Sequence, residues 1–389
     1  MQVPKGFSFN AVEAGIKYHG RPDVGLIFSE KPSFWSGVFT KNDVKAAPVI
    51  LGLERLRKQS KIQAILVNSG CANACTGEAG LRDAEIVLTE LAKNLNLSPE
   101  EILPASTGVI GSRLPVKKIL AVLPDLVEGL SPDRAALVAR SMMTTDTFPK
   151  IVSRKIKTQN TEITLLGLAK GAGMIAPNMA TMLAFILTDA RVPSGKLRQW
   201  LAEAVEFSFN RITVDGDTST NDTVYLLANG LAGEVSGKEE ELFKEALFEV
   251  SRELAYLIVK DGEGATKTVK IRVEGARSEE EALKLARAAA DSPLVKTAFF
   301  GEDPNWGRIM VALGKLGLGL VPEKINIFIN DIPLVKGGLA TDKEDLAQKE
   351  MARPEFTVKI ELGMGAADAE ILTCDLSKEY VKINAEYRT

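Results

Sequence analysis

With 389 residues, 45% of them apolar and 25% charged, the chain is long enough for two or three domains with ample cores. A net charge of −3 and a pI near 5.7 exclude the basic footprint that nucleic acid or an anionic membrane surface calls for. The single histidine, His19, sits in the polar setting Lys17-Tyr-His-Gly-Arg21 and reads as a turn residue. A Ser-His-Asp triad, a Cys-His dyad or a His-rich metal site would all have to use it, so any catalytic base is expected to be something else.

No apolar run approaches membrane-span length, and Met1-Gln-Val-Pro-Lys-Gly6 lacks the apolar core of a signal peptide. An odd count of three cysteines argues against a disulfide framework, and the expected compartment is a reducing cytoplasm. Gly25–Phe28, Gly37–Thr40, Ala47–Ile50 and Ala64–Val67 are short apolar runs between turns and predict strands. Cys71 and Cys75 lack the spacing and partners of a zinc site and read as small packed thiols.

A helix is predicted over Arg82–Asn94, with acids early and Lys93 late. Ser98-Pro-Glu-Glu101 has the form of a helix start with a capping box. Further helices are expected over Val116–Leu126 and, after Ser131-Pro132, over Asp133–Met143, before a run of hydroxyls at Thr144–Thr147. Strands at Ile163–Leu168 and Met182–Leu187 flank a stretch rich in glycine and small residues, Lys170-Gly-Ala-Gly-Met-Ile-Ala-Pro-Asn-Met-Ala-Thr181. Beyond it come a helix from Ser194 to about Phe207, a strand at Val224–Ala228, a long helix at Glu239–Val259, a strand at Ile271–Val273 and a helix opening at Ser278. Strands at Lys324–Ile329, Phe356–Leu362 and Ala369–Thr373 then surround a helix near Lys343–Met351. The change of tempo places a boundary near residue 280, giving a larger domain over 1–280 and a smaller α/β domain over 281–389.

Three stretches invite a chemical reading. Gly171-x-Gly173-x-x-Ala176 follows a strand as a dinucleotide fingerprint does, but Pro177-Asn178 comes where a helix must begin to receive pyrophosphate. Asp215-x-Asp217-x-Ser219 imitates a calcium loop, yet Thr220 stands where glycine is needed and Leu226 where the bidentate Glu belongs. Asp303-Pro-Asn-Trp-Gly-Arg308 reads as a turn capping the next helix or as a ligand contact. Thr181, at the mouth of a core strand, is either a strand-start residue or a nucleophile. As a nucleophile it needs an adjacent base, and the α-amine freed by cutting the Ala180–Thr181 bond is one that needs no histidine.

The stretch Lys170–Leu183 resembles the self-cleavage signature of the ornithine acetyltransferase (glutamate N-acetyltransferase) family of arginine biosynthesis. Val67-Asn-Ser-Gly-Cys-Ala-Asn-Ala74, Ser106-Thr-Gly-Val-Ile-Gly111, Met143–Thr147, Gly301–Arg308 and Tyr380–Tyr387 resemble further segments of that family, in family order over nearly the whole chain. The resemblance implies a four-layer α/β/β/α sandwich, self-cut between Ala180 and Thr181, with a smaller C-terminal α/β domain whose tail, residues 380–389, returns to the active site. It implies ping-pong acetyl transfer from N2-acetylornithine to glutamate on Thr181, with Thr107 and Gly108 as the oxyanion hole. Thr144 (or its neighbour Thr145), Lys170, Glu263, Asn384 and Thr389 match substrate-contacting positions. No metal or cofactor is implied; acetyl-CoA enters only as a co-substrate, if glutamate is also acetylated from it. The α and β pieces would assemble as α2β2. The alternatives are an aminopeptidase or amidase on the same self-cutting scaffold, a nucleotide-binding oxidoreductase and a non-enzymatic binding protein.

Overall fold

The computed structural model describes residues 1–58, 61–157, 162–176 and 182–386. In chain order the elements are β1 (Phe7–Val12), β2 (Val24–Phe39), α1 (Ala47–Lys58), β3 (Ile62–Asn68), α2 (Gly77–Leu95), β4 (Ile102–Ser106), α3 (Val116–Glu128), α4 (Ala135–Ser141), β5 (Lys150–Lys157), β6 (Glu162–Lys170), β7 (Leu183–Arg191), α5 (Ser194–Glu206), β8 (Thr223–Glu234) and α6 (Lys238–Lys260). They continue with β9 (Thr268–Ala276), α7 (Glu279–Ala290), α8 (Pro293–Phe300), α9 (Trp306–Gly314), β10 (Asn326–Ile329), β11 (Ile332–Lys336), β12 (Leu339–Ala340), α10 (Glu344–Met351), β13 (Glu355–Glu361), β14 (Ala367–Cys374) and α11 (Lys378–Glu386).

Two compact units result. The first holds residues 1–210 and 217–258, and the second holds 211–216 and 259–388. The division falls before β9 rather than near residue 280, because β9 pairs in parallel with β13 and antiparallel with β14. Its hydrogen bonds therefore tie it to the C-terminal strands.

In the first unit the hydrogen-bonded path runs β4-β3-β2-β8-β7-β6-β5, with β1 on β2. The sixteen-residue β2 serves both halves: Val24–Phe28 pairs with β1 and β3, and Phe34–Phe39 with β8. The register breaks between Phe28 and Ser33. Period-two alternation then sorts the side chains. Ile65 and Val67 of β3 join Leu183, Phe185 and Leu187 of β7 in one core between the halves. Ala64 and Leu66 point the other way, onto Val87, Leu88 and Leu91 of α2 and Ile119 and Leu123 of α3. On the opposite outer face, Gly167 of β6 leaves room for α6: a Cβ there would lie 2.6 Å from Leu254 and 2.7 Å from Val250. Trp200 of α5 packs against Phe243 of α6. The layers are thus α/β/β/α, as expected.

The second unit is a six-stranded sheet, β12-β11-β10-β13-β9-β14, sharing one core with α7, α9 and α10. Asn305 caps α9, its side-chain oxygen accepting from the Arg308 N–H, so the Asp303–Arg308 stretch is the helix-capping turn. No helix among the described residues is long and apolar enough to cross a membrane.

Three local readings are corrected. Ala47–Ile50 opens helix α1 instead of forming a strand, and Pro48 sits in its first turn, where no backbone donor is missed. Ser98–Glu101 has the expected capping box but makes one 3-10 turn that runs straight into β4. Of the two early cysteines only Cys71 is packed away; Cys75 is exposed.

Candidate active site

Strand register assembles the first group of predicted residues. Lys170, the last residue of β6, pairs with Leu183 at the start of β7; Leu183 pairs with Thr223 at the start of β8; Thr223 pairs with Phe39 at the end of β2. One row across four strands thus gathers one end of the sheet. Thr181 and Ala180 lie outside the described residues, as does Thr389; the first described residue after the proposed cut is Met182.

Lys170 is buried, 3% exposed, and its ammonium lies 3.9 Å from Asp146 Oδ2. Asp146 is itself wholly enclosed and accepts from Lys150 Nζ at 2.7 Å, from the Gly171 N–H at 2.7 Å and from the Thr144 N–H at 3.0 Å. Burial alone would raise its carboxyl, but the Lys170 and Lys150 ammoniums outweigh that and hold it well below the usual carboxylate range. Asp146 therefore keeps its charge and fixes three things at once: the Lys170 head group, the turn carrying Thr144, and the first glycine after β6. Thr144 and Thr145 are both half-buried.

The Thr107–Gly108 loop follows β4. The Thr107 N–H donates to the Asn68 C=O at 2.9 Å, and the Ala72 N–H to the Val109 C=O at 3.0 Å. Gly108 has φ +125°, and a Cβ there would stand 2.4 Å from the Gly70 carbonyl carbon and 2.6 Å from the Cys71 nitrogen. Both neighbours are backbone, so only glycine fits. Asn221 fastens this loop to the strand-end row, donating to the Ala72 C=O at 2.7 Å and the Ser106 C=O at 2.8 Å.

Beside it is a carboxyl that sequence reasoning passed over as part of a polar turn. Asp222 is wholly buried, and its Oδ1 accepts from the Met182 N–H at 2.9 Å. Burial pushes this carboxyl well above its ordinary range, against the Met182 N–H and the Lys170 charge. Asp146 and Lys150 were missed as well. Asp146 stood inside the Met143–Thr147 segment, but nothing local marks it as the residue that two lysines share.

The remaining predicted pair lies in the second unit. Glu263 is buried in the turn after α6, and its Oε2 accepts from Asn384 Nδ2 at 2.7 Å. Asn384 belongs to helix α11. Gly264 has φ +66°, and a Cβ there would meet the Tyr380 nitrogen at 2.6 Å, while Ser377 Oγ donates to the Gly264 C=O at 2.6 Å. The start of α11 thus clamps the turn that carries Glu263. His19 is on the surface, 85% exposed in its side chain, 3.6 Å from a Glu13 oxygen, as a turn residue would be. Among the described residues, no three His, Cys, Asp or Glu side chains are grouped as metal ligands.

The ArgJ family model matches residues 8–389 of the chain. The arginine biosynthesis bifunctional protein ArgJ of Desulfotalea psychrophila is 51% identical, the alignment covering 99% of both chains. The protein of the same name from Thermotoga neapolitana is 46% identical over the full length of both. Among solved structures, the arginine biosynthesis bifunctional protein of Bacillus halodurans is 38% identical with a TM-score of 0.50, covering 52% of this chain and 98% of that one.

Proposed function

The chain belongs to the ArgJ family, and from that premise we propose that it is an acetyltransferase of arginine biosynthesis, moving the acetyl group of N2-acetylornithine to glutamate through an ester on Thr181. The observation that carries the reading is the buried Lys170–Asp146–Lys150 group at the strand ends, next to the start of β7. A buried lysine in a closed polar nest suits an amino-acid carboxylate.

In this scheme the chain cuts itself between Ala180 and Thr181. The freed α-amine, whose ordinary pKa is about 7.7–8.0, takes the proton of the Thr181 hydroxyl as its oxygen attacks the acetyl carbonyl. The developing oxyanion accepts from the Thr107 hydroxyl and the Gly108 N–H. Ornithine leaves as the amine, and the amine of glutamate then attacks the acetyl ester, giving N-acetylglutamate and the free hydroxyl. Lys170 holds the substrate carboxylate, Glu263 with Asn384 holds the ornithine side-chain ammonium, and Thr144 and Thr389 complete the contacts. This transfer uses neither ATP nor a metal. The Bacillus halodurans structure supports the two-piece form, since a chain matched over 98% of its own length spans only 52% of this one. The relatives' description as bifunctional supports a second reaction, acetylation of glutamate from acetyl-CoA. A cytoplasmic α2β2 assembly belongs to the same reading.

The test is incubation with N2-acetylornithine and labelled glutamate. Labelled N-acetylglutamate is the expected product. Acetate released without it would favour the amidase, and acetyl-CoA in place of acetylornithine reports the second reaction. Glu263→Gln should raise the KM for acetylornithine about tenfold to a hundredfold, the weight of a charged hydrogen bond, with a smaller change for glutamate in the second half-reaction. Steady-state kinetics with each substrate varied in turn measures this split.

A further inference from the structure

Asp222 is the buried acid that the scheme above leaves without a task. Its Oδ1 accepts from the Met182 N–H, but its Oδ2, equally enclosed, has no hydrogen-bond partner among the described residues. The backbone around it is fixed: the Thr40 N–H donates to the Asp222 C=O at 3.0 Å, and the Thr223 N–H to the Met182 C=O at 3.1 Å. A purely structural role would need only Oδ1, which an asparagine also supplies. An enclosed oxygen without a hydrogen bond is costly, so this carboxyl sits where stability alone would not put one.

Its address points to the task. Met182 N is bonded to the carbonyl carbon of Thr181, so the carboxyl is anchored at the peptide that joins the proposed nucleophile to β7. The Thr181 α-amine serves as base only after the cut. In the uncut chain that nitrogen is the amide of the bond to be broken and accepts no proton. The first cleavage therefore needs another acceptor.

We propose that Asp222 is the general base of self-cleavage, acting once per molecule before the α-amine exists. The inference rests on the Thr181 reading above. The Asp222 carboxylate takes the Thr181 hydroxyl proton, and the oxygen attacks the Ala180 carbonyl carbon. The Ala180–Thr181 C–N bond then breaks as Asp222 returns the proton to the departing nitrogen, leaving an ester from Ala180 to the Thr181 oxygen. Water hydrolyses the ester to the Ala180 carboxylate and the free hydroxyl. The groups near the carboxyl are the Met182 N–H, the Lys170 ammonium at the end of β6, the Thr40 hydroxyl at the end of β2, whose own hydrogen bond goes to the Ser219 C=O at 2.7 Å, and the Ser219 backbone in the preceding turn; burial outweighs them all and raises the carboxyl. A carboxyl raised in this way both accepts and returns a proton nearer neutral pH than an ordinary one.

The experiment is a pulse-chase of the full chain made in cell-free synthesis, with cleavage followed on denaturing gels across pH. Asp222→Asn should slow cleavage about a hundredfold or more, and the residual rate should keep climbing with pH where the wild-type rate levels off. Hydroxylamine, which traps the ester, should not rescue it, because no ester forms. Asp222→Glu should recover at least tenfold over the Asn variant, with its own plateau. The Asn variant should melt no lower than uncut Thr181→Ala and should gain on it as pH rises, because a carboxyl with a raised native pKa loses folding stability as pH climbs from the unfolded value toward the native one.

Wild-type cleavage by Asp222→Asn overturns the proposal, and so does hydroxylamine rescue. A Glu variant as slow as the Asn variant, with both melting like Thr181→Ala, also overturns it; if the Asn variant does not fold, the Glu variant decides alone. Cleavage of Thr181→Ala would instead sink the nucleophile reading, whatever Asp222 does.

Discussion

Thr181→Ala should run as one uncut chain on a denaturing gel, where the proposed cut divides the wild type into pieces of 180 and 209 residues, and should lose acetyl transfer by about four orders of magnitude or more. In the proposed scheme the substitution removes the atom that takes the acetyl group. It also leaves nitrogen 181 inside an amide, so nucleophile and base vanish together. Thr181→Ser keeps both and should retain partial cleavage and turnover. Hydroxylamine-labile incorporation of labelled acetyl into the wild-type C-terminal piece, and none into the Ala variant, checks the ester directly. A wild-type chain that stays whole and active would end the N-terminal amine mechanism.

Asp146→Ala should be the most destabilising change at the site. It leaves the Lys150 ammonium, 2.7 Å from the lost oxygen, and the Lys170 ammonium, 3.9 Å away, buried without their shared counter-charge. Breaking a buried pair in this way costs about 3–5 kcal/mol, or about 10 °C in melting temperature for a unit of this size. The Gly171 and Thr144 N–H groups lose their acceptor as well. The pH dependence has a definite sign. The native carboxyl is held below its unfolded value, so its contribution is complete above about pH 4–5 and is lost as pH falls toward the native value. The gap in melting temperature between wild type and variant should be flat from pH 5 to 8 and narrow in stronger acid. Asp146→Asn keeps an acceptor but not the charge, and should lower transfer through misplacement of Lys170 more than it lowers melting temperature. Parallel melting curves and KM measurements separate the two effects.

Long elements with a clean period were legible in the sequence: α2, α6, α7 and the strands β6, β7 and β13 lie where apolar spacing put them. Short apolar runs were not. Ala47–Ile50 has the composition of a strand, and only the continuation through Leu51 and Gly52 to Arg55 shows the buried stripe of a helix. β4 and β5 were hidden, one behind a capping box and the other under alternating lysines.

The site divides in the same way. Lys170, Thr107 and Gly108 sit in stretches whose small residues or resemblance to a family draw notice. Asp146 and Asp222 acquire their properties from partners 24 and 40 residues away, a distance that no local pattern spans. Glu263 and Asn384 are 121 residues apart; only resemblance singled out either of them, and their pairing is visible in the structure alone.

The order of strands in the first unit carries one more consequence. In the proposed two-piece form, cut before Thr181, β5, β6 and β2 belong to one polypeptide and β7 and β8 to the other, so the sheet alternates between two molecules along β6-β7-β8-β2. Neither piece holds a complete sheet, and β6 and β7 remain zipped along Leu165–Lys170 after their covalent link is gone. Such a cut would therefore turn a folding problem of one body into one of two. The intact precursor reaches its native state by a first-order search, whereas denatured mature pieces must find each other at a rate that falls with dilution. Stability after the cut is then a matter of slow escape rather than ready return. On that proposal the molecule gives up ready refolding to gain its amine.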